Sequence, residues 1–215
     1  YKRQNINQDI YGKILTTKIL KDYDGNENLW AGYIMGEINF GKYVTFIPGV
    51  RYDFSHLKYN AYSGSNVPDN EEKEHEFEYE KSSDSDKYGY WLPQIHLRVK
   101  PTNWMDIRLA YTETLSRPDY NLLAPRTIIK PNVNEVTWSR TNLKPALSRN
   151  YDVILTFYQP DYGLFTISGF YKDIKNFTYT RSAYMLNGTV TDPANFDLPM
   201  SLSGGSITYP LNSPY

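Results

Sequence analysis

The 215-residue sequence has no cysteine, which removes a disulfide scaffold, a thiolate metal site and a cysteine nucleophile together. It also has no run of about 18 apolar residues, so no membrane-spanning helix is expected. Tyr1-Lys2-Arg3 leads into no apolar stretch and no initiator Met opens the chain. The sequence is therefore expected to be part of a longer protein. An excess of charge is missing as well. The net charge is -1, and nothing in that balance would attract nucleic acid.

Chemistry-bearing patterns are equally scarce. The three histidines, His56, His75 and His96, have no metal-ligand spacing. There is no Gly-x-Ser-x-Gly, His-Glu-x-x-His or phosphate-loop pattern. Asp22–Glu27 alternates acids around Gly25, but it lacks the remaining ligands of a calcium loop and reads as a polar turn. No catalytic residue, metal or cofactor is expected.

Aromatic residues are plentiful: 21 Tyr, 9 Phe and 4 Trp, or 16% of the chain, in a sequence of polar mean hydropathy. That combination points to an all-β protein. Period-two alternation carries the argument further. Trp30, Gly32, Ile34, Gly36, Ile38 and Phe40 oppose Leu29, Ala31, Tyr33, Met35, Glu37 and Asn39. After Gly41-Lys42 the pattern returns through Val44, Phe46, Pro48, Val50 and Tyr52. Trp91, Pro93, Ile95, Leu97 and Val99 oppose Gln94, His96, Arg98 and Lys100, and a similar strand follows from Met105. Tyr151, Val153, Leu155 and Phe157 alternate again, followed by a less regular strand from about Leu164 to Phe177. These segments predict six strands in three hairpins, over 29–53, 88–116 and 150–177. Each strand is about 10 residues or longer, the length of a tilted membrane strand.

Residues 1–28, 54–87, 117–149 and 178–215 are left as long outer loops, while the links inside hairpins are short. That asymmetry is the layout of an outer-membrane barrel. Between Asp69 and Lys87 stand nine acids and three lysines, a composition expected to be mobile. Between Arg117 and Arg149 stand six bases, two acids and four prolines, a loop expected to fold onto something.

A soluble β-sandwich alternates too. Uniformly long strands favour a barrel in lipid, and so do rings at the strand ends: Trp30, Tyr43, Tyr52, Trp91, Trp104, Tyr151 and Tyr158. In lipid the apolar residues face acyl chains, and Arg51, Asp53, His96, Arg98, Asp106 and Arg108 face the lumen. Six strands cannot stay open in a bilayer, so further strands are expected outside this sequence.

At this point the chain resembles a known family. LWAGYIMGEINFGKYVTFIPGVRYD (Leu29–Asp53), LPQIHLRV (Leu92–Val99), DIRLAYTETLSRPD (Asp106–Asp119), TNLKPALSRNYD (Thr141–Asp152) and GFYKDIKNF (Gly169–Phe177) resemble barrel hairpins of TonB-dependent receptors, in the style of Bacteroidetes-type bacteria. Thr141-Asn142 stands where the family often has Asn-Pro. The resemblance implies a 22-stranded outer-membrane barrel holding an N-terminal plug. It also implies import of a scarce nutrient (iron chelate, vitamin or glycan), with TonB reached through a plug outside this chain. Outer-membrane lipid and the small-molecule or glycan ligand are the other expected partners, and the sequence leaves open whether a surface lipoprotein caps the barrel.

The lumen residues are expected to pair with one another or with a plug. Ligand contact is expected instead from Arg117, Tyr120, Arg126, Trp138 and Arg140, where rings stack on sugars or flat chelates and guanidinium groups grip carboxylates. A passive porin and a soluble carbohydrate-binding module are the competing readings.

Overall fold

The computed structural model describes residues 19–65, 79–130, 133–139, 142–159, 161, 163–186, 189–190 and 205–214. The elements are strands β1 (Tyr23–Met35), β2 (Ile38–Phe40), β3 (Val44–Ser65), β4 (Tyr79–Thr102), β5 (Met105–Ser116), β6 (Arg126–Lys130), β7 (Glu135–Ser139), β8 (Ala146–Gln159), β9 (Gly163–Lys175), β10 (Thr178–Leu186), β11 (Thr189–Val190) and β12 (Ser206–Asn212), with one helical turn at Tyr120–Leu123. All the strands join one sheet in the order β11-β10-β12-β7-β6-β3-β4-β5-β8-β9, with β1 and β2 also on β3. Among the described residues this sheet does not close on itself.

The expected hairpins are present. β1 and β2 pair antiparallel with β3, β4 with β5, and β8 with β9. Cross-strand partners share a face in an antiparallel ladder, so the register sorts every side chain. Thr45↔Arg98, Arg98↔Arg108 and Asp106↔Thr156 place the charged residues on one face, here called the inner face. Phe46↔Leu97, Leu97↔Leu109 and Leu109↔Val153 make the other face apolar. This is the arrangement that the alternation predicts, and it defines an all-β membrane-barrel wall rather than a sandwich with a central core.

Rings border the apolar face in two rows. One joins Tyr52 to Trp91 at 4.7 Å and Tyr111 to Tyr151 at 5.0 Å, continuing to Tyr171 at 6.0 Å. The other stacks Trp104 on Phe157 at 6.2 Å and Phe157 on Phe165 at 6.4 Å. Among the described residues nothing covers the apolar face between them. Trp30 and Ile34 keep 74% and 72% of their surface. The buried clusters lie elsewhere, in Val136–Ile207–Tyr209 and Leu57–Tyr59–Leu123–Leu143.

Three expectations are corrected. The loop over 54–87 is strand at both ends, because β3 runs to Ser65 and β4 starts at Tyr79. The register is unbroken from Val44↔Val99 to Gly64↔Tyr79. A polar run can stay extended when its two faces separate chemically. Here Asp84 and Asp86 pair with Tyr59 and Leu57 on the inner face, while Lys87 pairs with His56 on the outer face. Residues 66–78 of the acidic run, His75 included, lie outside the described residues. The polar turn expected at Asp22–Glu27 is mostly strand, since β1 begins at Tyr23. Residues 117–149 and 178–215 also contribute strands. β6 pairs with β7, and β12 pairs antiparallel with β10 and parallel with β7.

Candidate functional site

Two sets of polar residues stand on the inner face. The lower set centres on Asp106, which is only 1% exposed. Arg98 donates to its Oδ2 through Nε at 2.8 Å, and Arg108 donates to Oδ1 through Nε at 3.3 Å. One carboxylate thus neutralises parts of two guanidinium groups on adjacent strands, each still about half in solvent at 40% and 48%. His96 shares this face, opposite Ile47 and Ala110. Among the described residues no group of His, Cys, Asp and Glu has the arrangement of a metal site.

The upper set binds the segment after β5 to the sheet. Arg51 donates to Asp53 Oδ1 at 3.0 Å. The Nη2 of Arg117 lies 3.8 Å from Asp53 Oδ2, and its Nε lies 3.2 Å from Glu27 Oε1. Ser55 Oγ donates to Glu27 Oε1 at 2.7 Å, and Tyr120 Oη donates to Glu27 Oε2 at 3.2 Å. Two carboxylates and two guanidinium groups therefore balance in one network across β1, β3 and the 117–120 segment. Ser55 and Tyr120 donate hydrogen bonds to the Glu27 carboxylate, whereas Arg117 meets Glu27 and Asp53 as ion pairs, its Nε and Nη2 making no hydrogen bond.

Apolar contacts lock the same segment from above. Asp119 caps the helical turn by accepting from the Asn121 backbone N–H at 2.8 Å, an N-cap arrangement. Leu123 then packs with Leu143 on Leu57 and Tyr59. The Tyr59 ring lies over Gly25, where a Cβ would collide with the ring, so glycine is what lets the tyrosine lie flat. Burial, followed by the Glu27 charge, holds the Tyr59 phenol well above its ordinary value. The neighbouring Glu27 charge raises Tyr120 as well.

The five expected ligand residues therefore separate. Arg117 and Tyr120 meet on Glu27. Arg126 instead donates through Nη1 to the Lys21 carbonyl at 2.8 Å and lies over the Tyr23 ring at 5.8 Å; burial lowers its affinity for a proton. It lines a hollow of about 380 Å³ with Leu20, Lys21, Ile128, Lys130 and Thr137. Trp138 packs edge-on to Tyr209, 6.5 Å away, beside the Val136–Ile207 cluster. Arg140 lies outside the described residues. Sequence reading missed Glu27, Ser55 and Tyr59. The signal was available, because Asp53, Ser55, Leu57, Tyr59 and Ala61 continue the period of two and are all buried.

A family model described as "TonB dependent receptor-like, beta-barrel" matches residues 1–208. No curated protein matches the sequence. Among solved structures, a double mutant of the Serratia marcescens hemophore receptor HasR, in complex with its hemophore HasA and heme, matches with a TM-score of 0.61 at 15% identity. The match covers 89% of this chain and 30% of that one. The closed form of the ferric-catecholate import receptor Fiu from E. coli K12 matches with a TM-score of 0.53 at 15% identity, over 78% of this chain and 24% of that one. A mutant of the ferric enterobactin receptor PfeA from Pseudomonas aeruginosa, in complex with enterobactin, gives 0.50 at 10% identity, over 89% and 32%. At these identities the likeness is one of fold, and the chain spans less than a third of each receptor.

Proposed function

We infer a function from the fact that this chain belongs to the TonB-dependent receptor-like β-barrel family: it forms part of the wall of an active transporter that carries a scarce nutrient across the bacterial outer membrane. One observation carries the reading. Long antiparallel strands present an uncovered, ring-bordered apolar face on one side and paired charges, Arg98–Asp106–Arg108 and Arg51–Asp53, on the other. In lipid the first face contacts acyl chains and the second lines the lumen. Paired lumen charges keep their ionised form without an exposed cost, and they offer partners to whatever fills the barrel.

The transported ligand is an anionic chelate in this reading. Lys21 and Arg126 bring cations to one hollow, beside Lys130, which is paired with Glu135 at 3.1 Å, and cations there suit carboxylate, catecholate or propionate groups. HasR and the ferric-catecholate receptor Fiu supply a fold-level parallel. Vitamins and glycans are the other ligand classes. The segment Arg117–Tyr120 is the proposed base of a ligand-facing loop rather than the ligand contact itself, because its charges are already spent on Glu27 and Asp53.

Uptake by cells carrying the full-length receptor as their only route tests this. Iron-55 supplied as a ferric catecholate should accumulate, and deletion of TonB should abolish accumulation. Equal uptake without TonB would identify a passive pore instead. TonB-dependent uptake of an oligosaccharide but of no iron chelate would keep the transporter and overturn the ligand class.

A further inference from the structure

The acyl-facing side of β3 and β4 changes character abruptly above the ring row. Trp30, Phe54 and Gly89 share one rung, and Tyr52 faces Trp91 on the next rung below. The rung above holds Asn28, His56 and Lys87, and the one after it Asn26, Lys58 and Ser85. No carboxylate occupies these two rungs; the first acid on this face is Asp24, one rung higher and opposite Asn60. The acids of the same segment, Asp84 and Asp86, point to the other face by register. Among the described residues neither Lys58 nor Lys87 has a salt-bridge partner. Desolvation first, and then the charges of Lys87 and Lys58, lower the affinity of His56 for a proton, so the positive charge of the patch is carried by the two lysines.

Height decides what this patch meets. His56 lies two residues beyond Phe54, or about 7 Å along the strand. A ring row marks the level where acyl chains give way to headgroups. Cations immediately above that row sit where lipid phosphates lie, and each contributes attraction to an anionic headgroup.

We propose that His56, Lys58 and Lys87 form a docking surface for the phosphorylated headgroup of an outer-leaflet lipid. The proposal rests on the barrel-wall reading above. Asn26 and Asn28 add hydrogen-bond donors at the same level, and the neighbouring Trp30 and Tyr52 rings receive the upper acyl chains. The surface is a lipid site on the barrel exterior, separate from the ligand path on the inner face. Its role is to hold the lipid shell against the extended hairpin.

Native mass spectrometry of the detergent-solubilised full-length receptor tests it. The probes are bis-phosphorylated lipid A and the same lipid with its phosphates removed. The wild type should retain the phosphorylated lipid and discriminate against the other. K58Q/K87Q should weaken retention about 25-fold, from about fivefold for each lysine. K42Q/K100Q, two lysines at the opposite end of the strands, should leave retention unchanged. Heat-shifted gel mobility checks that each variant is a folded barrel. Equal retention by the wild type and K58Q/K87Q, or no preference for phosphate, would overturn the docking surface while leaving the transporter intact. A receptor that stays monodisperse without detergent would overturn the barrel-wall reading and this proposal together.

Discussion

The hairpin of β3 and β4 is one continuous ladder with two different halves. Below Tyr52 and Trp91, the outer side presents Val44, Phe46, Pro48 and Val50 against Val99, Leu97, Ile95 and Pro93. Above them it presents His56, Lys58, Asn60 and Tyr62 against Lys87, Ser85, Ser83 and Lys81. The inner side changes in the opposite sense, from Thr45, Ile47 and Gly49 below to the buried Ser55, Leu57, Tyr59 and Ala61 above. Backbone pairing is indifferent to this change, but the medium is not. β3 has 22 residues, roughly 70 Å at about 3.3 Å each. That is more than twice the ~30 Å hydrocarbon thickness. The lower half is therefore solvated by lipid on its outer side, and the upper half stands in water with its own core on its inner side. Alternation reports that two faces differ; only the chemistry of each face reports what they touch.

The same substitution placed in each half breaks this symmetry most strongly. Ile95 lies midway along the apolar stretch of β4, and Ser85 is on the same face in the upper half. Ile95→Lys puts an ammonium against acyl chains and should destabilise the barrel by about 2–4 kcal/mol. Ser85→Lys adds a cation to a wet surface and should stay within about 0.5 kcal/mol. Urea midpoints of the heat-shifted band, measured on the full-length receptor in vesicles, read both. Equal midpoints for the two variants would show that the halves share one solvent.

How much of this was readable in advance follows from the same contrast. In the lower half an apolar residue alternates with a polar one, so the strand, its register and its charged face were legible from residues such as Leu97 and Arg98. Residues 54–87 read as a long loop, and Asp69–Lys87 as its mobile part, because polar letters are dense there. Glu80, Asp84 and Asp86 against Lys81 and Lys87 look like an unfolded charge run until they are sorted by parity. The pairing partner that makes parity meaningful is a long-range fact. The loop site was half legible for a related reason. Arg117 and Tyr120 stand out as types, but Glu27 is 90 residues upstream of Arg117 and reaches it only through the β1–β3 register. Trp138 looked like a stacking platform, and its place beside Tyr209 depends on β12, which no sequence signal announced.

The upper half should also yield locally where the lower half does not. Arg117→Ala removes the cation that links Glu27 to Asp53 and should loosen residues 117–123 by about 1–3 kcal/mol. Limited proteolysis should then cut within 117–149 several times faster, while the urea midpoint of the barrel moves little. Leu123 and Leu143 would still rest on Leu57 and Tyr59, so the loop should breathe rather than detach. A fall in the midpoint as large as that of Ile95→Lys would mean that the network braces the whole wall and not only the loop.

The smallest expected effect is a response to alkali confined to the upper half. The phenols of Tyr59 and Tyr120 are raised in the folded state, the first by burial and then Glu27, the second chiefly by Glu27. A raised value means that the closed loop holds these protons more tightly than the open one. The resulting stabilisation is fully present below about pH 10, the ordinary tyrosine value. It fades as the pH climbs through the raised values. Proteolysis of 117–149 should therefore quicken progressively above pH 10, at pH values where the barrel band still shifts on heating. Glu27→Gln removes the charge that raises Tyr120 and keeps one of the two oxygens, so only one of the Ser55 and Tyr120 hydroxyls retains its present acceptor. It should bring Tyr120 ionisation, followed by absorbance near 295 nm, back toward the ordinary range and flatten part of the pH response. Burial would still hold Tyr59 up. An unchanged titration in Glu27→Gln would place the cause in burial alone and make the latch a matter of packing rather than charge.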